Sequence, residues 1–405
     1  GIRELAEETG VELPLDTPML DGARWITPPT IPIRFDARYL IARAPDHAAP
    51  DVAHSGGELD GGVWLPPAEA LARWAGGDLL VPSPVRRALA ALRTGVAGVE
   101  ERLARASVAE SHGTRLWEVA RGIALCPVRT PTLPPASHTN CYVVGCGDVV
   151  VIDPAAPDAD ERAALDEALD GIAADGRRVR AIWLTHHHGD HVGGAAHLAA
   201  RLGVPVAAHR ATAERLRRRV TVDHLLDDGD TLTLDGGAGA PVRRLRAVFT
   251  PGHAPGHLCF LEEETGFLIA GDMVAGTGTI LIEPTEGDMR LYLDSLARLR
   301  RLAPRVLLPA HGGAIADVAA KLDEYTRHRL WREQQVLAAV RARGPAPPDR
   351  LVELAYADTA PALPGLAARS LSSSLQYLFE TGRVKKHGDK WAIYSGDGSS
   401  AGRTG

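Results

Sequence analysis

The segment Thr185-His186-His187-His188-Gly189-Asp190-His191 constrains this chain more than any other stretch. It packs histidines and an aspartate directly behind the apolar run Ala181-Ile182-Trp183-Leu184. Such a run reads as a buried strand, so the polar residues occupy a loop at a strand's carboxyl end, where αβ sheets collect their sites. His186 and His188 stand two apart and point the same way from extended backbone. Gly189, Gly193 and Gly194 give the following turn its freedom. Neutral imidazole and carboxylate are the donors Zn²⁺ takes when no thiolate is offered. A solvated histidine-rich loop is the competing reading.

Three later pieces weigh against that loop: Thr250-Pro251-Gly252-His253, Gly271-Asp272 and Pro309-Ala310-His311-Gly312. Each follows a β run and each contains a glycine. One alone says little, because a lone histidine is more often structural; together and in this order they describe one site. In that order they resemble the metallo-β-lactamase superfamily, specifically its glyoxalase-II-like dinuclear branch, over roughly residues 115–320. The resemblance implies an α/β fold, the αββα sandwich, and two bound Zn²⁺, with Fe or Mn also suited to such donors. It implies that His186, His188 and His253 hold one metal, that Asp190, His191 and His311 hold the other, and that Asp272 bridges them. Asp153, after Val149-Val150-Val151-Ile152, matches a family aspartate expected behind the ligands, where it would orient them.

The chemistry that follows is hydrolysis. Water held between two Zn²⁺ has its pKa lowered toward ~7, and the resulting metal-bound hydroxide attacks an acyl or phosphoryl centre. Asp190 is the expected catalytic residue, orienting the nucleophile or shuttling its proton. His257 is read as a support and not a ligand. His187 is expected to face away, as a packed or exposed side chain. His138 is read either as cleft-lining or as a structural hydrogen bond, and His47, His54, His112, His197, His209, His224, His328 and His387 receive no role.

With 405 residues the chain exceeds what one core usually serves, so two or three domains are expected. Its 45% hydrophobic and 24% charged residues are ordinary for a globular protein. A formal charge of -6 argues against a nucleic-acid surface spread over the whole chain. Cys126, Cys141, Cys146 and Cys259 form no CxxC pair and are too few for a disulfide framework, so all are read as reduced and buried, in a cytoplasmic protein. No apolar run nears the ~20 residues of a membrane span, so no membrane partner is expected. No secretory pattern is visible, although Gly1 opens inside a helical run and a preceding targeting segment is left open.

Residues 325–395 resemble the winged-helix tail of one subgroup of the superfamily. That subgroup includes a mitochondrial endoribonuclease and thioesterases acting on carrier-bound polyketides. The matching stretches are His328-Arg329, Arg332-Glu333-Gln334, Leu371–Leu378 and the wing Gly382-Arg383-Val384-Lys385-Lys386-His387, joined by Gly278-Thr279, Asp288–Tyr292 and Ser295-Leu296. A basic wing suits phosphates, of RNA or of a coenzyme A-like group. The acidic chain and the lack of interleaved aromatics favour a small-molecule substrate over RNA. The polar end, 396–405, is expected to be disordered.

Arg3-Glu4-Leu5-Ala6-Glu7-Glu8-Thr9-Gly10-Val11 resembles the second half of a Nudix box, making residues 1–105 a partial Nudix domain. Glu4, Glu7 and Glu8 share one helix face, where clustered carboxylates would hold Mg²⁺ for diphosphate hydrolysis. Arg34-Phe35-Asp36 and Trp64-Leu65-Pro66 also fit that family. The box's first half would lie before Gly1, so this activity is expected only of a longer chain.

The local pattern further predicts a helix over 1–11, a strand Arg34–Ala42, loop over 43–62, a short strand Val63–Leu65, a helix from Pro66 to Trp74 and one from Ser83 to Ala104. From Trp117 to Pro309 strands alternate with helices, including a hairpin about Gly145–Asp148. A long helix from Ile315 into the 330s follows. The favoured function is dinuclear-zinc hydrolysis of a small ester or thioester, of acyl-coenzyme A or acyl-carrier type. A metal-dependent endoribonuclease using the wing is the alternative, and a non-catalytic zinc scaffold is a third. Oligomeric state has no signature in the sequence.

Overall fold

A computed structural model describes residues 2–26, 36–46, 48–51, 61–76, 78–111, 116–174, 176–236, 242–358 and 364–394. It divides into two units, Gly1–Cys126 and Pro127–Gly405.

The first unit contains α1 (Ile2–Thr9), β1 (Met19–Ile26), β2 (Asp36–Ala42), α2 (Pro67–Ala75), α3 (Ser83–Leu92), α4 (Val99–Ser111), β3 (Trp117–Ala120) and the start of β4 (Ile123–Arg129), within which the division falls. β1 pairs antiparallel with β2. Trp25, Ala91, Val99 and Leu103 form a buried cluster, with Tyr39 set edge-on to Trp25 at 6.4 Å. Glu4, Glu7 and Glu8 are exposed on α1, and Glu7 pairs with Arg3 at 2.9 Å.

Several local expectations need correction here. Arg34 and Phe35 lie outside the described residues, and the strand is described from Asp36. Val63–Leu65 is not a strand: Trp64 is exposed and its indole N–H donates to the Ala48 carbonyl at 3.2 Å instead of facing a ladder. The single helix 83–104 is two, because Gly95 (φ 95) and Gly98 (φ 69) take left-handed backbone between them. β1 went unforeseen, since a register shift between Asp21 and Arg24 interrupts its alternation.

The second unit opens with β5 (His138–Val144), β6 (Asp148–Ile152), α5 (Ala159–Ala174), β7 (Arg178–Trp183), α6 (Gly189–Val192), α7 (Ala195–Leu202), β8 (Val206–Ala208), α8 (Arg210–Leu216) and β9 (His224–Leu225). Strands β5 to β9 follow in chain order within one sheet. β5 and β6 make the expected antiparallel hairpin, and the later pairings are parallel. A second sheet runs β10 (Thr231–Leu234), β11 (Arg243–Phe249), β12 (Leu258–Glu262), β13 (Phe267–Gly271) and β14 (Val306–Pro309), with α9 (Met289–Leu302) before the last strand. Strands β12, β13 and β14 are buried on both faces, which is why they read as unbroken apolar runs. The sheets meet where Trp183 packs on Phe260, ring centroids 5.0 Å apart. Helices α5 and α7 contact β7 of the first sheet. α9 and the start of α10 (Val318–Arg343) share a core with the second sheet through Tyr292, Leu296, Leu299, Leu322 and Tyr325. The result is the four-layer αββα sandwich.

Helix α10 is longer than the pattern suggested. Its second half contributes Val336, Leu337 and Val340 to another core, shared with α11 (Pro348–Ala355), α12 (Pro364–Glu380) and the hairpin β15 (Val384–His387) and β16 (Lys390–Ile393). This is a small winged-helix domain. The residues 396–405, expected to be disordered, lie outside the described residues. Among the described residues no helix is long and apolar enough to cross a membrane, and no disulfide forms. Cys146 is only half-buried in the β5–β6 turn, unlike the other three cysteines.

Candidate metal centre

Four strand ends, drawn from both sheets, converge on one place. The chain leaves β7 through the buried Leu184 and Thr185, and His186 is fully buried. The backbone stays extended to His188 (φ -64, ψ 146), which precedes the short helix α6 carrying Asp190 and His191. His253 follows β11, Asp272 follows β13 and His311 follows β14. At the first of these Gly252 sits at φ 132, and at the second Gly271 sits at φ 49, so the chain can turn sharply just before each donor.

All seven residues that the resemblance implies as donors are brought together. His188 Nδ1 lies 2.9 Å from His186 Nε2 and 3.0 Å from His253 Nε2. Asp272 Oδ2 lies 3.4 Å from His253 Nε2, while its Oδ1 lies 3.5 Å from His191 Nε2 and 3.4 Å from His311 Nε2. Asp190 Oδ2 is 3.7 Å from His311 Nε2. His186, His188, His253 and Asp272 form one group of donor atoms within 4.8 Å of one another, and Asp190, His191 and His311 form another.

The ring orientations are set from outside. His186 Nδ1 donates to the Thr185 hydroxyl (3.0 Å), which in turn donates to Asp153 (2.6 Å). His191 Nδ1 donates to Asp153 Oδ2 (2.9 Å), His253 Nδ1 to the Leu281 carbonyl (2.8 Å) and His311 Nδ1 to the His138 carbonyl (2.9 Å). Each of these four rings thereby turns Nε2 inward. His188 is reversed: its Nε2 donates to Glu286 Oε1 at 2.8 Å and Nδ1 faces the centre. His257 stands behind Asp272, its Nε2 accepting the Asp272 amide at 3.1 Å and its Nδ1 bonding the Thr250 hydroxyl at 2.9 Å.

These groups fit divalent cations. His191 Nε2 and Asp272 Oδ1 are buried without a hydrogen bond among the described residues, a condition that costs ~1–3 kcal/mol per group unless something charged answers it. Burial, reinforced by neighbouring histidines, holds His186 well below the usual imidazole range, and burial pushes His253 down to about 4, so both present lone pairs. Burial opposes the charge of Asp272, but His191 and His311 outweigh it and keep the carboxyl well below its usual range. Burial likewise disfavours a charged His191, yet Asp272, Asp190 and Asp153 raise it well above the ordinary value. The carboxylates thus favour positive charge at that position.

A cleft of about 210 Å³ opens over the donors, with His188, Asp190, His253, Asp272 and His311 in its floor and Ile280 and Leu281 in its wall. Arg369, from α12 of the winged-helix domain, donates to Glu283 at 2.5 Å on the same cleft.

Sequence reasoning missed Glu286, which no motif marks. Of the two states expected for His187 it takes the packed one: it is buried and donates from Nε2 to Glu286 Oε2 at 2.8 Å, a partner the sequence did not show. Asn140 was missed too: its amide donates to the Pro309 and Gly312 carbonyls, at 2.9 and 2.8 Å, and so holds the loop that carries His311.

Residues 134–311 match the Metallo-beta-lactamase superfamily, and residues 348–391 match the Beta-lactamase associated winged helix domain. The lactamase-like protein nscB of Trichophyton rubrum is 31% identical over 244 residues, covering 59% of this chain and 70% of that protein. The chain belongs to the metallo-β-lactamase superfamily. Its superfamily relatives include the lactamase-like protein adaB of Aspergillus niger, 36% identical over 206 residues and 50% of this chain, with the chain spanning 58% of that relative's length. The atrochrysone carboxyl ACP thioesterase of Aspergillus fumigatus is 31% identical over 204 residues, covering 50% of this chain and 59% of that protein. A crystal structure of a metallo-beta-lactamase family protein from Thermus thermophilus superposes with a TM-score of 0.55 at 29% identity, covering 67% of this chain and 98% of that one.

Proposed function

We propose that this chain is a dinuclear-metal hydrolase that cleaves a small ester or thioester of acyl-coenzyme A or acyl-carrier type. One observation carries the reading: the two oxygens of Asp272 face different donor groups, Oδ2 toward His253 and Oδ1 toward His191 and His311. A buried carboxylate so placed serves two cations at once. His186, His188 and His253 would hold one, Asp190, His191 and His311 the other, with Asp272 between them, as in the glyoxalase-II-like branch. The nitrogen and oxygen donors suit zinc, and also iron or manganese. Such cations supply Lewis acidity and lower the pKa of water toward ~7.

The chain's own residues do the rest. Asp190, with Oδ2 toward His311, offers Oδ1 to orient the attacking water and to take up its proton. Ile280 and Leu281 give an apolar wall to an acyl group. The thioester preference draws support from the relative named as an acyl-carrier thioesterase. The wing gives less support to RNA, since Arg383 pairs with Glu333 and Lys386 lies 5.2 Å over the Trp391 ring.

The test joins metal analysis of the purified protein to turnover of acyl thioesters, a phosphodiester and single-stranded RNA. The expected result is about two zinc ions per chain and thioester hydrolysis, abolished in His188→Ala and Asp272→Ala together with loss of bound zinc. Full activity in either variant overturns the reading. RNA cleavage with steep salt dependence and no thioester turnover replaces it with the endoribonuclease.

A second activity is proposed for the intact full-length protein and not for this chain by itself, favoured by the exposure of Glu4, Glu7 and Glu8 together on α1. It is Nudix-type, Mg²⁺-dependent hydrolysis of a nucleoside or coenzyme A diphosphate. Turnover lost in Glu7→Gln supports it, and no turnover with Mg²⁺ removes it.

A further inference from the structure

Consecutive residues on extended backbone send their side chains to opposite faces, yet His187 and His188 converge on one carboxylate. Glu286 Oε2 accepts from His187 Nε2 and Glu286 Oε1 accepts from His188 Nε2, both at 2.8 Å. The carboxylate belongs to the Glu283–Gly287 turn, where the amides of Glu286 and Gly287 both donate to the Glu283 carbonyl, at 3.3 and 2.6 Å. Arg215 of α8 lies 3.8 Å from Oε2.

His188 is the ring whose orientation needs such help. The other four inward-facing rings present Nε2, each with Nδ1 fixed by a neighbouring oxygen. His188 must present Nδ1, and an imidazole with no acceptor at Nε2 is free to carry its proton on either nitrogen. A carboxylate at Nε2 settles the tautomer and leaves the Nδ1 lone pair toward His186 and His253. Its negative charge also makes the ring a better donor.

We infer that Glu286 is a positioning residue for the metal centre, acting through His188, with His187 as the second anchor that keeps the carboxylate in place. The inference rests on the reading of His188 as a ligand. Partners of this kind typically contribute 10–100-fold in metal affinity.

The test measures zinc affinity by chelator competition in the wild type, Glu286→Ala, Glu286→Gln and His188→Ala, together with the melting temperature of each metal-free protein. Glu286→Ala is expected to bind one zinc about 10–100-fold more weakly while its metal-free protein still melts cooperatively. Glu286→Gln, which keeps one acceptor oxygen but no charge, should fall between it and the wild type, and serves if the alanine variant does not fold. Unchanged affinity in both Glu286 variants, with zinc lost in His188→Ala, overturns the role of Glu286 and leaves the ligand reading standing. Unchanged zinc in His188→Ala overturns the ligand reading and the inference with it. A third zinc in the wild type, lost alone in Glu286→Ala, overturns the inference in favour of a cation held by His187, His188 and Glu286.

Discussion

Asp153 holds His191 from behind, accepting its Nδ1 proton at 2.9 Å, so that the other ring nitrogen is left 3.5 Å from Asp272 Oδ1. The same carboxylate accepts the Thr185 amide and hydroxyl, at 2.8 and 2.6 Å. Asp153 therefore ties the histidine loop to the end of β6 and fixes one donor's tautomer at once. Its own backbone is left-handed (φ 51), a conformation asparagine tolerates and alanine does not. Asp153→Asn should fold, lose about 10–100-fold in zinc affinity and lose hydrolysis in parallel. Chelator competition and thioester turnover check this, and wild-type affinity in the variant would refute it.

The approach of the His253 loop to α9 permits no side chain at Gly252. Its φ is 132, and a Cβ there would meet the Tyr292 backbone nitrogen at 2.2 Å. Backbone cannot retreat as a flexible side chain can. Strain of ~1–3 kcal/mol and overpacking of ~1–3 kcal/mol should together destabilise Gly252→Ala by at least about 2 kcal/mol. Gly313→Ala is the control, since nothing lies within 4 Å of its Cβ position, and its stability should stay within about 0.5 kcal/mol of the wild type. Urea denaturation of both variants measures the contrast.

Away from the centre, Arg243 and Glu262 form a buried pair at 3.3 Å across β11 and β12. Burial, added to by Glu264, raises the Glu262 carboxyl, although Thr265 donates to it from both amide and hydroxyl. Glu262→Ala removes a buried counter-charge of Arg243 and should cost ~3–5 kcal/mol. Replacing both residues by apolar ones of similar volume should recover most of that. If the single and double variants prove equally unstable by urea denaturation, the pair is not what holds this edge.

A pH-dependent contribution is expected at Asp228. Arg298 of α9 donates to its two oxygens at 2.8 and 2.9 Å, and the Phe249 amide donates at 2.9 Å. Burial disfavours the charge, but these donors outweigh it and hold the carboxyl below its ordinary value. A lowered folded value means the stabilisation is complete above the unfolded value of ~3.9 and is lost as pH falls through the folded one. The pair is half exposed, so the effect stays under about 1 kcal/mol. Asp228→Asn should be slightly less stable than the wild type at neutral pH, and the gap should close in strong acid. A gap unchanged by pH would show that the charge contributes nothing.

Much of the sandwich was legible because its strands are buried on both faces. Val149–Ile152 and Phe267–Ala270 read as unbroken apolar runs for that reason. Where a strand was bulged or exposed, the pattern failed. β1 is interrupted at Asp21–Arg24, while Val63–Leu65 looked like a strand but has nothing to pair with among the described residues. The break between α3 and α4 needed the signs of φ at Gly95 and Gly98, which composition does not reveal.

The candidate donors were legible in the sequence through the family resemblance, which the histidine motif and the order of the glycine-flanked pieces along the chain suffice to carry. Tertiary structure alone decided which nitrogen of each ring faces inward and what holds it there. Those choices depend on carbonyls and carboxylates brought up from far away, such as the Leu281 oxygen behind His253 and Glu286 behind His188, 98 residues distant. Local periodicity carries no trace of such contacts. Packing of β6 beside β7 brings Asp153 to His191, and the meeting of the two sheets brings Glu286 to His188 and the His138 carbonyl to His311.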